Sequence, residues 1–456
     1  MRLGQGRRDA DPAPGAHPPP PVVPVPDTGP APVAPATGEP GGLRVGMSAM
    51  AAATVFAAGS GYVVTLVAAR ALGSTRYEVF AVFWALFFAI AGVLGGLVQE
   101  TTRAIRTGTE LPPGSGPRRA PTPFAVSLVL GAVIAGGLVL ASPLWAGRLI
   151  SEHSDAGLWL LAASTLSLAP QAALSGILSG AGLWRAYAGM LGLDAVARLA
   201  AAVVVVVGGG GIIAFFLVTI AGSLSWLVTL AASPEARRAL RRRADVPLGE
   251  FVRRMSQAMA AATAAAILIV GFPVLLSATT AGGERAVLGP VILAVTLTRA
   301  PFLVPLNSFQ SAVIVYFVDR EGNILPALRR PALLLAAAAV AASAAAAVLG
   351  PPLIRLFFGA DFALSGMTLG ALTFGAACTA WLMLSGCAAL ARARHTLYSA
   401  GWLLSGTVSF ALLALLPAGL STRTAIALVV GPLVGSVLHL VALRGGQPAR
   451  TPATSP

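Results

Sequence analysis

Long apolar runs, separated by short polar stretches, fill this chain from residue 45 to residue 443. An α-helix of about 20 apolar residues, at 1.5 Å per residue, matches the hydrocarbon core of a bilayer, which is roughly 30 Å thick. The runs do not alternate apolar and polar residues as the strands of a membrane β-barrel do. Because helices satisfy their own backbone hydrogen bonds in lipid, the pattern predicts an all-α polytopic membrane protein.

The pattern predicts twelve membrane spans, the first two of which form a hairpin across a short polar hinge, Ala71–Tyr77. The eighth run is longer than one crossing requires, so we expect it to tilt or to extend past the bilayer. The twelve predicted spans are residues 45–69, 78–99, 124–146, 157–180, 187–207, 211–232, 255–281, 287–318, 332–350, 364–390, 396–416 and 424–443.

Composition supports a membrane protein and excludes several other classes. The chain has 456 residues, of which 56% are apolar and 11% are charged, whereas soluble chains carry about 25% charged residues. All 31 basic residues are arginine, which excludes the phosphate-binding loop that requires Gly-Lys-Ser/Thr. The segments between spans are too short for a soluble catalytic domain, and no cluster of metal ligands is evident. We therefore expect neither an enzyme nor a bound cofactor.

The net charge of +14 is explained by topology rather than by a nucleic-acid partner. Cytoplasmic loops of membrane proteins carry an excess of arginine and lysine. With the N-terminus inside, 23 arginines fall in cytoplasmic segments, six fall in outer segments, and two, Arg198 and Arg299, lie within spans. This bias predicts a protein of the cell membrane with both termini in the cytoplasm.

The most basic segment, residues 234–254, divides the spans into two groups of six. We predict a disordered, proline-rich cytoplasmic tail at residues 1–43, an N-lobe at 44–233, a cytoplasmic linker at 234–254, a C-lobe at 255–443 and a cytoplasmic tail at 444–456. The linker either determines topology and joins the lobes, or forms a surface helix on anionic lipid. Two six-helix halves are a recurrent plan of transporters.

Ionisable residues inside spans are candidates for function because burying a charge in lipid is costly. Arg299 lies near the middle of the eighth span and has no acid three or four residues away, and Pro301 and Pro305 follow it. Positions 299, 303, 307 and 310 share one helical face, which groups Arg299 with Asn307 and Gln310. Arg299 either faces a cavity, where its planar guanidinium could bind phosphate, or pairs with an acid on another helix.

Two further polar groups leave alternatives open. Asp194 and Arg198 lie four residues apart in the fifth span, so they either neutralise each other or provide a proton or sodium site. Gln99, Glu100 and Arg103 form the inner end of the second span. They either mark the membrane interface or meet a head group or a coupling cation at the mouth of a cavity.

Three short motifs resemble the bacterial polysaccharide flippases of the multidrug/oligosaccharidyl-lipid/polysaccharide exporter superfamily. The hinge AARALGSTRYEVFAVFWAL resembles the first hairpin of that family, Arg–Leu–Gly–x–x–x–Tyr–Gly–x–Phe, with Glu78 in place of the second Gly. LTRAPFLVPLNSFQ in the eighth span is similar to the Arg-Ala-Pro segment of actinobacterial members, and LIRLFFGADFALSG, at Leu353–Gly366, resembles an outer-loop motif. The matching hinge residues are Arg70, Leu72, Gly73, Tyr77 and Phe80.

The resemblance implies a V-shaped bundle of two six-helix lobes whose central cavity is lined by spans one, two, seven and eight. The implied cargo is an isoprenoid-diphosphate-linked oligosaccharide, flipped from the inner to the outer leaflet among membrane lipids. A polysaccharide polymerase and glycosyltransferases are the implied partners. The cavity candidates for binding this cargo are Arg299, Asn307, Gln310, Arg70, Gln99, Glu100 and Arg103.

Two alternatives remain open at this point. A cation-coupled multidrug exporter of the same superfamily would use a carboxylate in the N-lobe as its driver, and Asp194 is the candidate. A non-transporting membrane component of a polysaccharide synthesis complex would need no such group.

Overall fold

The computed structural model describes residues 40–110, 120–320 and 324–444. Regular structure within these ranges is helical throughout. Most of the predicted N-terminal tail, and the predicted C-terminal tail beyond Arg444, lie outside the described residues. The boundaries proposed for the two lobes and the linker remain predictions.

The helices occur in the same order along the chain as the predicted spans. Seven helices cover the predicted N-lobe: α1 Pro40–Glu110, α2 Pro123–Leu140, α3 Ser142–Leu149, α4 Ser154–Gly180, α5 Trp184–Val207, α6 Ile212–Ala221 and α7 Ser225–Ala232. Nine helices cover the predicted linker and C-lobe: α8 Pro234–Ala239, α9 Leu248–Ile269, α10 Phe272–Thr279, α11 Leu288–Ser308, α12 Gln310–Val318, α13 Ile324–Phe358, α14 Gly366–Ala391, α15 His395–Leu415 and α16 Leu420–Arg444.

The number of membrane-crossing helices agrees with the sequence prediction. In the described part of the chain, 10 helices are long and apolar enough to cross a membrane, or 11 when the bent pair α9 and α10 forms one span. Helix α1 counts once among these, although it consists of two arms that meet at Gly73. Counting the arms separately brings the number to the twelve spans predicted.

The predicted hinge between the first two spans is a break at one residue. Gly73 has φ 69° and ψ 173°, whereas the rest of Ala71–Tyr77 stays helical. Residues with a Cβ rarely adopt that conformation, which explains the glycine at this position. The two arms fold back on each other. Gly61 of the first arm lies so close to Trp84 of the second that a Cβ on Gly61 would be 3.7 Å from the indole ring.

Two predicted spans of the C-lobe, 255–281 and 287–318, are each broken into two helices. Helices α9 and α10 meet at an angle of 64°. Helix α11 ends at Ser308, and α12 begins at Gln310 on the other side of Phe309. Pro301 and Pro305 each remove a backbone donor from α11, and the helix ends within one turn of Pro305.

The helices pack in two groups that meet along α1. Helix α4 packs against α1, α2 and α5, whereas α14 packs against α13 and α16. Helix α1 also contacts α9 and α11 of the second group. The seam with α9 is close because Gly92 and Gly96 face it: a Cβ on Gly96 would collide with the backbone of Ala258 and Met259. Small residues permit this approach of two helices.

Candidate functional site

A central cavity of about 220 Å³ lies where the two groups of helices meet. Both arms of α1, the break between α9 and α10, and helix α11 line it. These elements are the predicted spans one, two, seven and eight, which the family resemblance implied for the cavity. Aromatic rings form much of the wall, and the polar lining residues are few. The aromatic lining residues are Tyr62, Tyr77, Phe80 and Trp84, and the polar ones are Thr65, Thr296, Arg299 and Asn307.

Arg299 lies in this cavity wall and is held by backbone carbonyls of the neighbouring broken helix. Its Nη1 donates to the carbonyl oxygens of Leu268 and Ile269, at 3.0 Å each. The carbonyl of Ile269 would normally accept from the N–H four residues later, but that residue is Pro273, which has no N–H. The guanidinium of Arg299 therefore satisfies an acceptor that the proline leaves free.

The rest of the Arg299 guanidinium has no polar partner in the described chain. Its Nε and Nη2 are buried and make no hydrogen bond, and the ring of Phe272 lies 4.7 Å from its central carbon. No carboxylate within residues 40–110, 120–320 and 324–444 pairs with it, so the predicted alternative of an interhelical ion pair is absent there. Among the described residues that line the cavity, Arg299 is the only charged one.

The predicted polar face of the eighth span lines the cavity only as far as the end of α11. Leu303 and Asn307 line the cavity together with Arg299. Gln310 does not line it; this residue lies beyond Phe309, at the start of α12. The grouping of Gln310 with Arg299 assumed an unbroken helix, and its place on that face stays a prediction.

Two other cavity candidates lie outside the cavity. Arg70 is exposed beside the hinge, where its Nη1 donates to the carbonyl oxygen of Leu356 at 3.2 Å. Gln99 is exposed near the other end of the second arm of α1. Neither side chain lines the cavity in this conformation.

Glu100 and Arg103 belong to an ion-pair network that joins α1 to the basic segment 234–254. The guanidinium of Arg103 donates to both oxygens of Glu100, at 2.6 and 2.9 Å, and to both oxygens of Asp245, at 2.7 and 3.0 Å. This network connects the second arm of α1 to the basic segment 234–254. Sequence reasoning missed Asp245, which lies 142 residues from Arg103 along the chain.

Asp194 and Arg198 pair with each other inside the first helix group. Arg198 Nη2 donates to Asp194 Oδ1 at 2.7 Å, and both side chains are buried. The amide of Gln171 reaches the same oxygen at 3.4 Å, and Phe87 and Phe88 cover the guanidinium, with ring centres at 5.3 and 4.8 Å from its central carbon. The pair does not line the central cavity, so its geometry is that of the self-neutralised pair.

Other residues of the site carried a weaker sequence signal. The break that orients Arg299 is visible as Gly271-Phe272-Pro273 in the middle of a predicted span, a combination that favours an interruption. The cavity aromatics Tyr62 and Trp84 cannot be separated by pattern from ordinary apolar positions, because they face the fold's interior on helices that are apolar all round.

Comparison with known proteins places the chain in a family. No protein-family model matches it. The uncharacterized protein Rv1510 of Mycobacterium tuberculosis (strain ATCC 25618 / H37Rv) is 41% identical over 401 residues, which cover 88% of this chain and 92% of that protein.

Solved structures show the same fold at low identity. An inward-facing conformation of a multidrug resistance MATE family transporter of the MOP superfamily has a TM-score of 0.65 and 14% identity, covering 88% of this chain and 98% of that one. The lipid II flippase MurJ in an inward closed conformation has a TM-score of 0.64 and 16% identity, covering 87% of each chain. The chain is therefore a multi-pass membrane protein with the MATE and MurJ fold, and it belongs to the family that includes Rv1510.

Proposed function

We propose that this protein is a secondary-type flippase that moves an isoprenoid-diphosphate-linked oligosaccharide, a precursor of cell-surface polysaccharide, from the inner to the outer leaflet. One observation carries the proposal: the cavity between the two helix groups contains a buried arginine, Arg299, whose charge no carboxylate of the described chain neutralises.

The orientation of Arg299 suits a phosphate. Its Nη1 is occupied by the carbonyls of Leu268 and Ile269, which leaves Nε and Nη2. These two nitrogens lie along one edge of the planar guanidinium, and such an edge can donate two parallel hydrogen bonds to two oxygens of a phosphate. An uncompensated cation in a poorly polar cavity also attracts an anion more strongly than it would in water.

The conformation described here is too closed to hold such a cargo. A cavity of about 220 Å³ is smaller than the roughly 300 to 1,000 Å³ of typical ligand sites, and Nε and Nη2 of Arg299 are shielded from water. Cargo would reach them when α1 and α9 separate along the Gly92 and Gly96 seam. The same fold occurs in inward-facing and outward-facing forms of MATE transporters, which supports a cavity that opens and closes.

The charge of the cavity favours this cargo over a cationic drug. A cation-binding exporter would need a carboxylate in its cavity, but the candidate, Asp194, is bound to Arg198 away from the cavity. The proposed orientation places both termini and the segment 234–254 in the cytoplasm. A polysaccharide polymerase and glycosyltransferases, which consume and supply such a cargo, are the proposed partners.

The test uses purified protein in proteoliposomes that contain a labelled isoprenoid-diphosphate oligosaccharide, and measures the fraction that becomes accessible to a glycosidase in the opposite compartment. We expect Arg299→Gln to slow transport by about 10-fold or more, since a hydrogen bond to a charged group contributes about 1.5 to 3 kcal/mol. Arg299→Lys keeps the charge but loses the planar fork, so it should retain part of the rate.

The matched control is Arg355→Gln, which removes an exposed arginine that does not line the cavity. It should transport like the wild type, and the thermal midpoint of each variant separates loss of function from loss of fold. A stable Arg299→Gln protein with the wild-type rate would contradict the proposal. A stable wild-type protein that does not increase transport would favour the non-transporting component of a synthesis complex.

A further inference from the structure

A second pocket, of about 440 Å³, lies between α3 of the first helix group and the end of α10 in the second. Trp145 and Arg148 line it from α3, whereas Ser277, Thr280 and Arg285 line it from the other side. None of these residues lines the central cavity. In the predicted orientation this pocket lies at the outer face of the membrane. The two pockets therefore lie at different depths along the boundary between the two helix groups.

Two arginines face the second pocket with little neutralisation. Arg285 Nη2 donates to the carbonyl oxygen of Arg148 at 3.1 Å, so the two residues are neighbours. Arg285 Nη1 reaches Glu78 Oε1 at a long 3.4 Å, and Glu78 itself does not line the pocket. The guanidinium of Arg148 makes no hydrogen bond or ion pair in the described part of the chain. Two cations with one carboxylate, Glu78, which pairs with Arg285, leave the surroundings of the pocket with a net positive charge.

Ser277 belongs to the wall of this pocket on the side of α10. The residue is only 2% exposed, so its Oγ is not open to a ligand in the pocket. The ring of Trp145 is fixed beside the arginines, because its indole N–H donates to the carbonyl oxygen of Leu138 at 3.3 Å.

A plainer interpretation is that Trp145 and Arg148 only anchor α3 at the membrane interface, where tryptophan and arginine are common. Interface anchoring accounts for exposed side chains that water or lipid can satisfy. It does not account for Arg285, which lines the same pocket from the opposite helix group and donates to the carbonyl oxygen of Arg148.

We infer that this outer seam pocket is a phosphate-binding site, with Arg148 and Arg285 as its ligands, and that it receives the phosphate-bearing head group of the cargo at the outer leaflet. The phosphate site stands on the pocket alone, whereas the identity of the ligand as cargo rests on the proposed function. A phospholipid head group presents the same chemistry, so the test separates the two sources.

The test titrates the purified full-length protein, in phosphatidylcholine nanodiscs, with glucose 1-phosphate and follows tryptophan fluorescence. We expect a saturable change that disappears in Trp145→Phe. Arg148→Gln is the decisive variant, because the Arg148 guanidinium has no other partner in the described chain. It should weaken binding about 10-fold or more, since a hydrogen bond to a charged group contributes about 1.5 to 3 kcal/mol.

One arginine variant serves as the control. Arg355→Gln, on the exposed end of α13, should bind glucose 1-phosphate like the wild type. Absence of saturable binding, wild-type binding by Arg148→Gln, or an equal loss in Arg355→Gln would overturn the inference. Loss of binding in Arg299→Gln alone would assign the phosphate to the central cavity, which supports the proposed function and contradicts the second site.

The second part of the test replaces phosphatidylcholine by phosphatidylglycerol in the nanodiscs. We expect the affinity for glucose 1-phosphate to stay the same, because the pocket selects the phosphate of a sugar-linked head group. Competition by phosphatidylglycerol that is lost in Arg148→Gln would assign the site to membrane lipid and would overturn its assignment to the cargo.

Discussion

Arg299 on helix α11 donates a hydrogen bond to the carbonyl oxygen of Ile269, the last residue of helix α9, over 3.0 Å. That carbonyl is free because Pro273 lies four residues further along the chain. An arginine on one helix thus completes the interrupted backbone of another, and the break fixes which edge of the guanidinium faces away from α9. The orientation of Arg299, the one charged residue among the described residues that line the cavity, therefore depends on an uncharged proline.

Pro273→Ala tests that dependence. Alanine supplies the missing N–H, so it should compete with Arg299 for the carbonyl of Ile269 and loosen the guanidinium. We expect transport of the labelled oligosaccharide in proteoliposomes to fall about 2- to 10-fold, as the loss of one hydrogen bond of about 0.5 to 1.5 kcal/mol implies. Pro331→Ala, a proline within α13, is the control and should keep the wild-type rate. Wild-type transport by Pro273→Ala would show that the freed carbonyl does not position Arg299.

Asp194→Asn should lower stability rather than transport. The substitution leaves the buried guanidinium of Arg198 without its carboxylate, and breaking a buried ion pair in this way costs about 3 to 5 kcal/mol. We expect a lower thermal midpoint and lower abundance, with the rate per folded molecule unchanged. Asp194→Leu combined with Arg198→Met should recover much of the stability, because apolar residues often replace a buried pair without loss. A stable Asp194→Asn protein that no longer transports would instead make Asp194 the coupling group.

Gly96→Ala should push α1 and α9 apart where Gly96 packs against α9. The new methyl group would collide with the backbone of Ala258 and Met259, and such overpacking costs about 1 to 3 kcal/mol. We expect a lower thermal midpoint and slower transport, because the closed conformation becomes harder to reach. Gly95→Ala is the matched control, since nothing lies within 4 Å of a Cβ at Gly95. Equal behaviour of the two variants would remove the Gly96 contact from the seam.

Cysteine labelling tests the predicted orientation. We expect a membrane-impermeant maleimide applied to whole cells to label Gly283→Cys and to miss Arg241→Cys, because the arginine bias places residue 283 outside and residue 241 in the cytoplasm. Both positions are exposed. The native Cys378 and Cys387 are buried and free, so the background should be low. External labelling at 241 together with protection at 283 would reverse the direction of transport proposed here.

The sequence pattern predicts helices well and their interruptions poorly. Length and hydropathy of the runs led to twelve spans, and the helical period correctly grouped Arg299 with Asn307. The same argument does not extend to Gln310, because the period holds only while a helix continues, and α11 ends at Ser308. Proline marks where a backbone donor is missing, but not whether the helix bends, as it does before Pro273, or continues, as it does through Pro301.

The sequence alone did not predict which side chains contact each other when they lie far apart along the chain. The ring of Phe362 packs edge-on against Tyr77 at 5.5 Å between centres, so two motifs that resemble one family meet in space although some 280 residues separate them. Nothing local in either motif specifies the other. The partners of Arg299 could not be predicted from residue types either, because backbone carbonyls are present at every position of every helix.

The manner in which Arg299 is held has an electrical consequence. Carbonyl dipoles, unlike a carboxylate, leave the empty cavity with a positive charge, and a membrane potential acts on such a charge with about 2.3 kcal/mol per 100 mV across the full field. An inside-negative potential would therefore favour the empty protein with its cavity open to the cytoplasm. A bound diphosphate reverses the sign of the charge, so the same potential would drive the loaded protein outward. Both halves of the cycle could then draw on the membrane voltage without a carboxylate that takes up and releases a proton.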